Sequence, residues 1–379
     1  MAASYALFSA QYPPHLGGIE NFTQGLARAL VARGNQVVVV TNDTEGLGAG
    51  VVHEGGVEVV RLPCRPLVSG RFPLPRHGSE RRRLMEGLAR RPLDGVLVNA
   101  RFYPQSLLGM RLARAHGLTP VVLDHGSAHL SFSSPALDPA VRLYEHAVTR
   151  WGRRHAPRYY GISEKSAEWL AHFGIRAEGV ITNAIDANAY RAAASGRGFR
   201  GELGIAADGL LVAFVGRLVP EKGVSALIEA SRDERLREAG VTFVLAGDGP
   251  LAGDVRAAEG PCLRWVGRLG REDTAALLLQ ADLMCLPTRS EGFSTTLLEA
   301  SACGCPSLVT DVGGARELIP DERYGRIIPD ATAGTVVREV LALCGRREEL
   351  PSMGERCREL VRERFSWDAT ASAVEHALL

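Results

Sequence analysis

The chain has 379 residues, beyond the roughly 250–300 at which one hydrophobic core stops growing, so two domains are expected. With 46% hydrophobic and 23% charged residues the composition excludes extensive disorder or a coiled-coil rod. Forty-four basic against 43 acidic side chains leave a formal charge of +1, which excludes a global field that recruits nucleic acid or an anionic bilayer.

Short β-branched runs alternate with amphipathic segments from the start. Tyr5–Ala10, Gln36–Thr41, Val57–Leu62, Gly95–Asn99, Pro120–Asp124, Tyr159–Ile162 and Gly179–Thr182 are predicted strands of a parallel α/β sheet. The first helix is predicted over Ile19–Arg33, with Ile19, Phe22, Leu26 and Leu30 on one stripe and Gly34 as its stop. From Ala192 to Gly204 the text turns small and polar, which places a linker and a domain boundary near residue 195. The alternation then restarts, with predicted strands Leu210–Val215, Val241–Ala246, Leu263–Val266, Leu283–Leu286, Pro306–Thr310 and Arg326–Ile328. Both halves thus repeat one Rossmann-like plan, and Ser366–Leu379 closes the chain as a helix.

Seven cysteines without a CxxC pair sit mostly in apolar runs, which reads as buried thiols in the cytoplasm rather than a zinc or disulfide framework. Met1–Ala10 lacks the basic flank and apolar stretch of a leader, and the longest apolar runs are strand-sized, so no membrane span is expected. Only Lys165 and Lys222 among the basic residues are lysines, so a lysine retained in this arginine-rich chain is a candidate for required chemistry.

Ligands of open α/β sheets bind beyond the carboxyl ends of the strands, where helix N-termini present unpaired N–H groups. Three such places carry unusual residues. The first is His15-Leu16-Gly17-Gly18-Ile19-Glu20, which is either a tight turn or a loop whose glycines let amides approach an anion. The second is Val215–Gly223, where Arg217 as a planar fork and Lys222 as a point charge can converge on a diphosphate, unless they are a solvated turn pairing with Glu221. The third is Glu291-Gly292-Phe293-Ser294-Thr295-Thr296-Leu297-Leu298-Glu299. Ser294 or Thr295 suits a helix N-cap, the amides of Gly292, Phe293, Ser294 and Thr295 form an anion nest, and Glu291 and Glu299 stand two turns apart. Taken singly, either glutamate is an ordinary helix or surface acid; together they suit a ligand with two sugar-like rings around a phosphate bridge.

The set GGIENFTQGLARAL, VGRLVPEKG, LAGDGP and EGFSTTLLEASACGCPSLVTDVGG resembles the retaining glycosyltransferases of family 4 over nearly the whole chain. The resemblance implies the α/β fold called GT-B, two Rossmann-like domains facing each other across a cleft. Residues 1–194 would be the acceptor side and 195–365 the nucleotide-sugar side, with 366–379 a helix packing back on the first domain. It further implies that Gly17 and Gly18 bring amides to the donor phosphate, that Arg217 and Lys222 clamp the diphosphate, that Glu291 contacts the transferred sugar and that Glu299 contacts the ribose. His125 resembles the family's histidine near donor sugar and acceptor, with a turn histidine as the alternative. Thr182-Asn183-Ala184-Ile185-Asp186 departs from the family's Pro-Asn-Gly turn while keeping Asn183 and Asp186.

The reaction so implied takes a sugar from a UDP-sugar or GDP-sugar and passes it, with retention, to a glycan or lipid-linked hydroxyl acceptor, with no permanently bound cofactor. Arg217, Lys222 and the amides would stabilise the leaving phosphate. The chain has no Asp-x-Asp motif, so no metal ligand is assigned and catalysis is expected to be metal-independent. Arg71–Pro92 carries seven arginines, and Arg142–Tyr160 carries five with Trp151, Tyr159 and Tyr160; these face either solvent or anionic lipid at the inner membrane surface. Nucleic acid is not an expected partner. Gly247–Ala252 fits a loose dinucleotide pattern, but the proline inside the turn and the cations one strand earlier argue against an oxidoreductase, and no Gly-Lys dipeptide exists for a Walker A loop. A nucleotide-sugar epimerase on the same fold and a non-catalytic nucleotide-sugar binder are the remaining alternatives.

Overall fold

The computed structural model describes residues 2–15, 17–67, 70, 72–130 and 137–379. The chain divides into two units, Met1–Ala184 with Trp367–Leu379, and Ile185–Ser366.

In the first unit the strands are β1 (Ser4–Phe8), β2 (Gln36–Asn42), β3 (Gly50–Glu54), β4 (Val57–Leu62), β5 (Cys64–Leu67), β6 (Phe72–Pro75), β7 (Gly95–Asn99), β8 (Val121–Asp124), β9 (Arg158–Gly161) and β10 (Gly179–Val180). Eight form one sheet in the order β10-β9-β8-β7-β1-β2-β4-β3. All neighbours run parallel except β3, which lies antiparallel on β4. Ala6, Leu7, Phe8 and Val96 to Val98 are buried, as expected of central parallel strands covered on both faces. Chain order reverses between β1 and β7, which makes the carboxyl end of that pair the switch point of the sheet. β3 and the antiparallel pair β5–β6 have no counterpart among the predicted strands. Val51 and Val52 of β3 are exposed, so this edge strand lacks the continuous burial that marks its neighbours.

The helix after β1 spans Gly18–Ala32, burying Phe22, Leu26 and Leu30, and the chain leaves it through Gly34 at φ +89. The Trp367–Leu378 helix lies beside it in the same unit. The Trp367 ring fills the space over Gly25, where a Cβ would come within 2.2 Å of it. Arg33 bonds Asp368 and reaches Glu375 at 2.9 Å.

The second unit holds β11 (Leu210–Val215), β12 (Val241–Ala246), β13 (Leu263–Trp265), β14 (Leu283–Leu286), β15 (Ser307–Thr310) and β16 (Gly325–Ile328). They form one parallel sheet in the order β13-β12-β11-β14-β15-β16. The reversal here falls between β11 and β14, so the loops after these two strands are the expected ligand edge. The small polar stretch expected to link the domains is anchored within this unit. Tyr190 is buried, Arg191 donates to the Cys303 carbonyl at 3.2 Å, and Ser195 and Arg197 bond Asp273 at 2.6 and 3.1 Å. The division therefore falls at Ala184/Ile185 rather than near 195, because side chains fasten what composition alone presents as flexible. Asp186 caps the Ala187–Ala192 helix by accepting from the Ala189 amide at 2.9 Å.

Five cysteines are buried and two, Cys64 and Cys344, half-buried, all as free thiols. Burial pushes the Cys303 and Cys357 thiols up to about 12, so both stay protonated. Among the described residues no helix is long and apolar enough to cross a membrane.

Candidate functional site

At the carboxyl edge of the second sheet, the loop after β11 and the loop after β14 are fastened to one another. Glu221 offers its carbonyl to the Arg289 amide at 2.8 Å and to the Thr288 hydroxyl at 3.1 Å. Gly223, at φ +76, sits where a Cβ would come within 2.2 Å of the Pro287 carbonyl oxygen. Only glycine fits, because both its left-handed backbone and that contact exclude a side chain. The result brings the Lys222 ammonium onto the Glu291 carboxylate as an ion pair. Arg217 lies exposed at the start of the same loop.

The Gly-Asp-Gly turn after β12 supports this loop from behind. A Cβ on Gly247 would lie 1.8 Å from the Gly216 carbonyl oxygen, and one on Gly249 would lie 2.7 Å from that of Leu218. The Leu218 amide bonds the Asp248 carbonyl at 2.9 Å. These glycines let the Arg217 loop lie against them, a packing role that accounts for the dinucleotide-like spacing without a dinucleotide.

The helix Thr295–Cys303 begins at Ser294, whose hydroxyl accepts from the Leu297 amide at 3.3 Å. Its remaining first-turn N–H groups have no carbonyl within the helix and carry the positive end of its dipole. Gly313 and Gly314 pack beneath this turn: a Cβ on Gly313 would meet the carbonyls of Glu291 and Gly292 at 2.7 Å, and one on Gly314 would meet the Phe293 ring at 2.4 Å. Phe293 is itself buried and tilted against Phe365, so of this residue only the backbone is available to a ligand. Glu299 is half-buried on the same helix. Burial pushes its carboxyl up to about 7, against the opposing pull of the Tyr190 hydroxyl and Arg271.

In the first unit, Gly17 and Gly18 open the first helix after β1. A Cβ on Gly17 would meet the Glu20 carboxyl at 2.2 Å. Glu20 is buried, and burial raises its carboxyl above the ordinary value. The acid of the glycine motif is therefore folded back beside its first glycine. Leu16 of that loop lies outside the described residues.

His125 follows β8 directly. Its Nε2 is 2.9 Å from Asn99 Oδ1, at the end of β7, and its ring meets Phe22 edge-on at 5.2 Å. Thr23 donates its hydroxyl to the Ile19 carbonyl at 2.7 Å and so accepts from Asn99 Nδ2 at 3.2 Å. That chain turns Asn99 Oδ1 toward the imidazole and assigns the proton to Nε2, leaving the Nδ1 lone pair to accept a hydrogen bond. Burial pushes His125 down to about 3, so it is neutral. Asp124 takes a different part. It receives two bonds from the buried Arg101 at 2.7 and 2.9 Å and belongs to an internal ion pair. Nothing in the spacing of Thr23, Asn99 or Arg101 marks them; their contacts join segments far apart in sequence.

The arginine-rich segments split between core and surface. In the first, Arg71 lies outside the described residues, Arg81 is buried, Arg91 pairs with Glu58, and Arg82 and Arg83 are exposed. In the second, Tyr159 is buried and Arg158 bonds the Ala377 carbonyl, whereas Arg142, Leu143, Arg150 and Trp151 share the exposed side of the Leu137–Gly152 helix.

Residues 16–189 match the family model described as Glycosyltransferase Family 4, and residues 209–346 match that of Glycosyl transferases group 1. The D-inositol 3-phosphate glycosyltransferase of Segniliparus rotundus is 31% identical over 46% of this chain and 41% of its own length. The GDP-mannose-dependent alpha-(1-6)-phosphatidylinositol monomannoside mannosyltransferase of Mycobacterium tuberculosis is 25% identical over 97% of this chain and 95% of its own. Among solved structures, Anabaena Alr3699/HepE in complex with UDP superposes with a TM-score of 0.69 at 19% identity, covering 100% of this chain and 99% of that one. The two sheets described above are those of the GT-B fold.

Proposed function

The chain belongs to glycosyltransferase family 4, and from that premise we propose that it transfers a sugar, with retention and without metal, from a nucleoside diphosphate sugar to a lipid-linked or glycan hydroxyl. The observation that carries this reading is the Lys222–Glu291 pair at the switch point of the second sheet, beside the Ser294-capped helix. A phosphate-binding cation and a hydroxyl-binding carboxylate stand together where a diphosphate meets a sugar.

Breaking the bond at the anomeric carbon develops positive charge on the sugar and negative charge on the departing phosphate. Arg217, Lys222 and the amides of Gly292 to Thr295 stabilise the latter. Gly17 and Gly18 are assigned amide contacts to a donor phosphate oxygen. Glu291 positions sugar hydroxyls, Glu299 accepts from the ribose diol, and neutral His125 accepts a hydroxyl hydrogen bond at Nδ1. The leaving phosphate oxygen takes the acceptor proton.

For the donor, the mycobacterial relative is named for GDP-mannose and the Anabaena structure holds UDP, so a UDP-sugar or a GDP-sugar is the expected class. For the acceptor, that relative's phosphatidylinositol mannoside and the exposed Arg142, Leu143, Arg150 and Trp151 favour a lipid-linked hydroxyl reached at an anionic membrane surface.

The test is a thermal-shift panel of nucleoside diphosphates and their sugars, followed by transfer assays with the sugar nucleotide that stabilises most. Transfer to an acceptor supports the reading. An epimerised sugar formed without acceptor, or binding with neither hydrolysis nor transfer, refutes it. Sedimentation with anionic vesicles tests the membrane step, and binding insensitive to salt or absent would leave a soluble acceptor.

A further inference from the structure

Three histidines converge in the first unit, at a place the transfer reaction does not use. His129 follows β8, His146 lies on the Leu137–Gly152 helix and His172 on the turn Leu170–Phe173. One ring nitrogen from each lies within 4.8 Å of the other two. His129 Nε2 and His172 Nε2 are 3.1 Å apart. Two imidazoles on a tetrahedral zinc ion, each at about 2.0–2.1 Å, hold their nitrogens about 3.3 Å apart, so this pair already has the spacing of two ligands. The His146 ring completes the group, its centroid 5.7 Å from that of His129 and 5.2 Å from that of His172, and the exposure of His146 and His172 leaves the remaining position open to water.

A second feature sets the donor atoms. His129 Nδ1 is 2.5 Å from Glu145, whose side chain is 1% exposed. A buried carboxylate on Nδ1 fixes that nitrogen as the protonated one and turns the Nε2 lone pair outward, the arrangement that orients and strengthens metal-bound histidines. Glu145 is held in turn by Arg101 at 3.5 Å, and Arg101 by Asp124. His172 stacks on Trp169 with 4.7 Å between centroids and 5° between planes, which fixes its ring as well.

We propose that His129, His146 and His172 form a three-imidazole site for a zinc-class divalent cation, oriented by Glu145, that clips the segment after β8 to two helical elements of the same unit. Three neutral nitrogens suit Zn²⁺, Co²⁺ or Ni²⁺ and give no preference to Mg²⁺ or Ca²⁺, which take oxygen ligands. The site is separate from the phosphate chemistry assigned to Arg217 and Lys222, and it binds whether or not that assignment holds.

The experiment uses the untagged full chain, stripped with chelator, and titrates ZnCl₂ against a chromogenic competitor, with CoCl₂ spectra alongside. We expect one zinc per chain, binding weakened at least about tenfold in His146→Ala and in His172→Ala, and a visible Co²⁺ band without the near-ultraviolet thiolate transition. Both variants alter exposed side chains, and circular dichroism confirms that they fold. Absence of zinc binding, equal uptake by the double variant H146A/H172A, or a thiolate transition pointing to the cysteines would each overturn the site.

Discussion

The Lys222 ammonium and the Glu291 carboxylate are bonded to each other across neighbouring loops, so the cation assigned to the donor phosphates and the acid assigned to the sugar share one spot. Both side chains are about four-fifths covered, at 20% and 17% exposure. A partly solvated pair of this kind contributes about 1 kcal/mol or less to folding. Lys222→Ala should therefore melt close to wild type yet lose about 10²-fold in kcat, as removal of one oxyanion-type donor does. Glu291→Gln should lose turnover with little change in affinity for the free nucleoside diphosphate. Steady-state kinetics beside a thermal melt checks both; unchanged turnover in Lys222→Ala would take the pair out of the site.

Glu299 supplies a pH dependence with a definite sign. Its carboxyl is pushed up from an ordinary 4.5 to about 7, first by burial. A carboxylate accepting two ribose hydroxyls must be ionised, so binding releases a proton near neutrality. Affinity for the nucleoside diphosphate should strengthen as pH rises toward about 7 and level off above it, while Glu299→Gln should bind weakly without that trend. Stability runs the other way. Between 4.5 and about 7 the unfolded chain has released the proton that the folded protein keeps, so wild type loses stability relative to Glu299→Gln across this window and retains the deficit above it. Calorimetry in buffers of different ionisation enthalpy measures the released proton, and melts at pH 5 and 8 measure the deficit.

Gly223→Ala should destabilise by about 2–4 kcal/mol, combining left-handed strain with the 2.2 Å approach to Pro287. Gly253, inside the Ala252–Ala257 helix with no atom within 4 Å of its Cβ position, is the control. Gly253→Ala should be neutral or stabilise by up to about 1 kcal/mol. Urea unfolding distinguishes the two; equal midpoints would mean that the two loops are not held together as described.

Asn99→Leu removes the acceptor that assigns the His125 proton to Nε2. Turnover should fall about tenfold or more, with nucleoside diphosphate affinity unchanged. A matching loss in both would instead indicate that Asn99 supports the fold.

Much of the fold is legible in the sequence. The parallel strands announced themselves as continuous apolar runs, because both faces of each are covered. Lys222, Glu291 and Ser294 each lie in a short segment whose spacing has a local reason, and the fold joins the first two and makes the third a helix cap. The failures share a cause as well. Residues 192–204 looked like a linker because composition does not record that Ser195 and Arg197 bond Asp273. β3 carries no apolar run to mark it, because its valines are exposed at the sheet edge. The Thr23–Asn99–His125 chain and the three histidines are assembled from separate segments, and their chemistry exists only once the fold brings them together.

On the proposed reading, Arg217 and Lys222 grip one diphosphate at the switch point of the second sheet. Calorimetric titration of the stabilising nucleoside diphosphate into wild type, Arg217→Ala and Lys222→Ala tests it most directly. Each variant should bind at least about tenfold more weakly than wild type, while the corresponding nucleoside, lacking phosphates, should bind all three alike. Equal diphosphate affinity across the three proteins would contradict it.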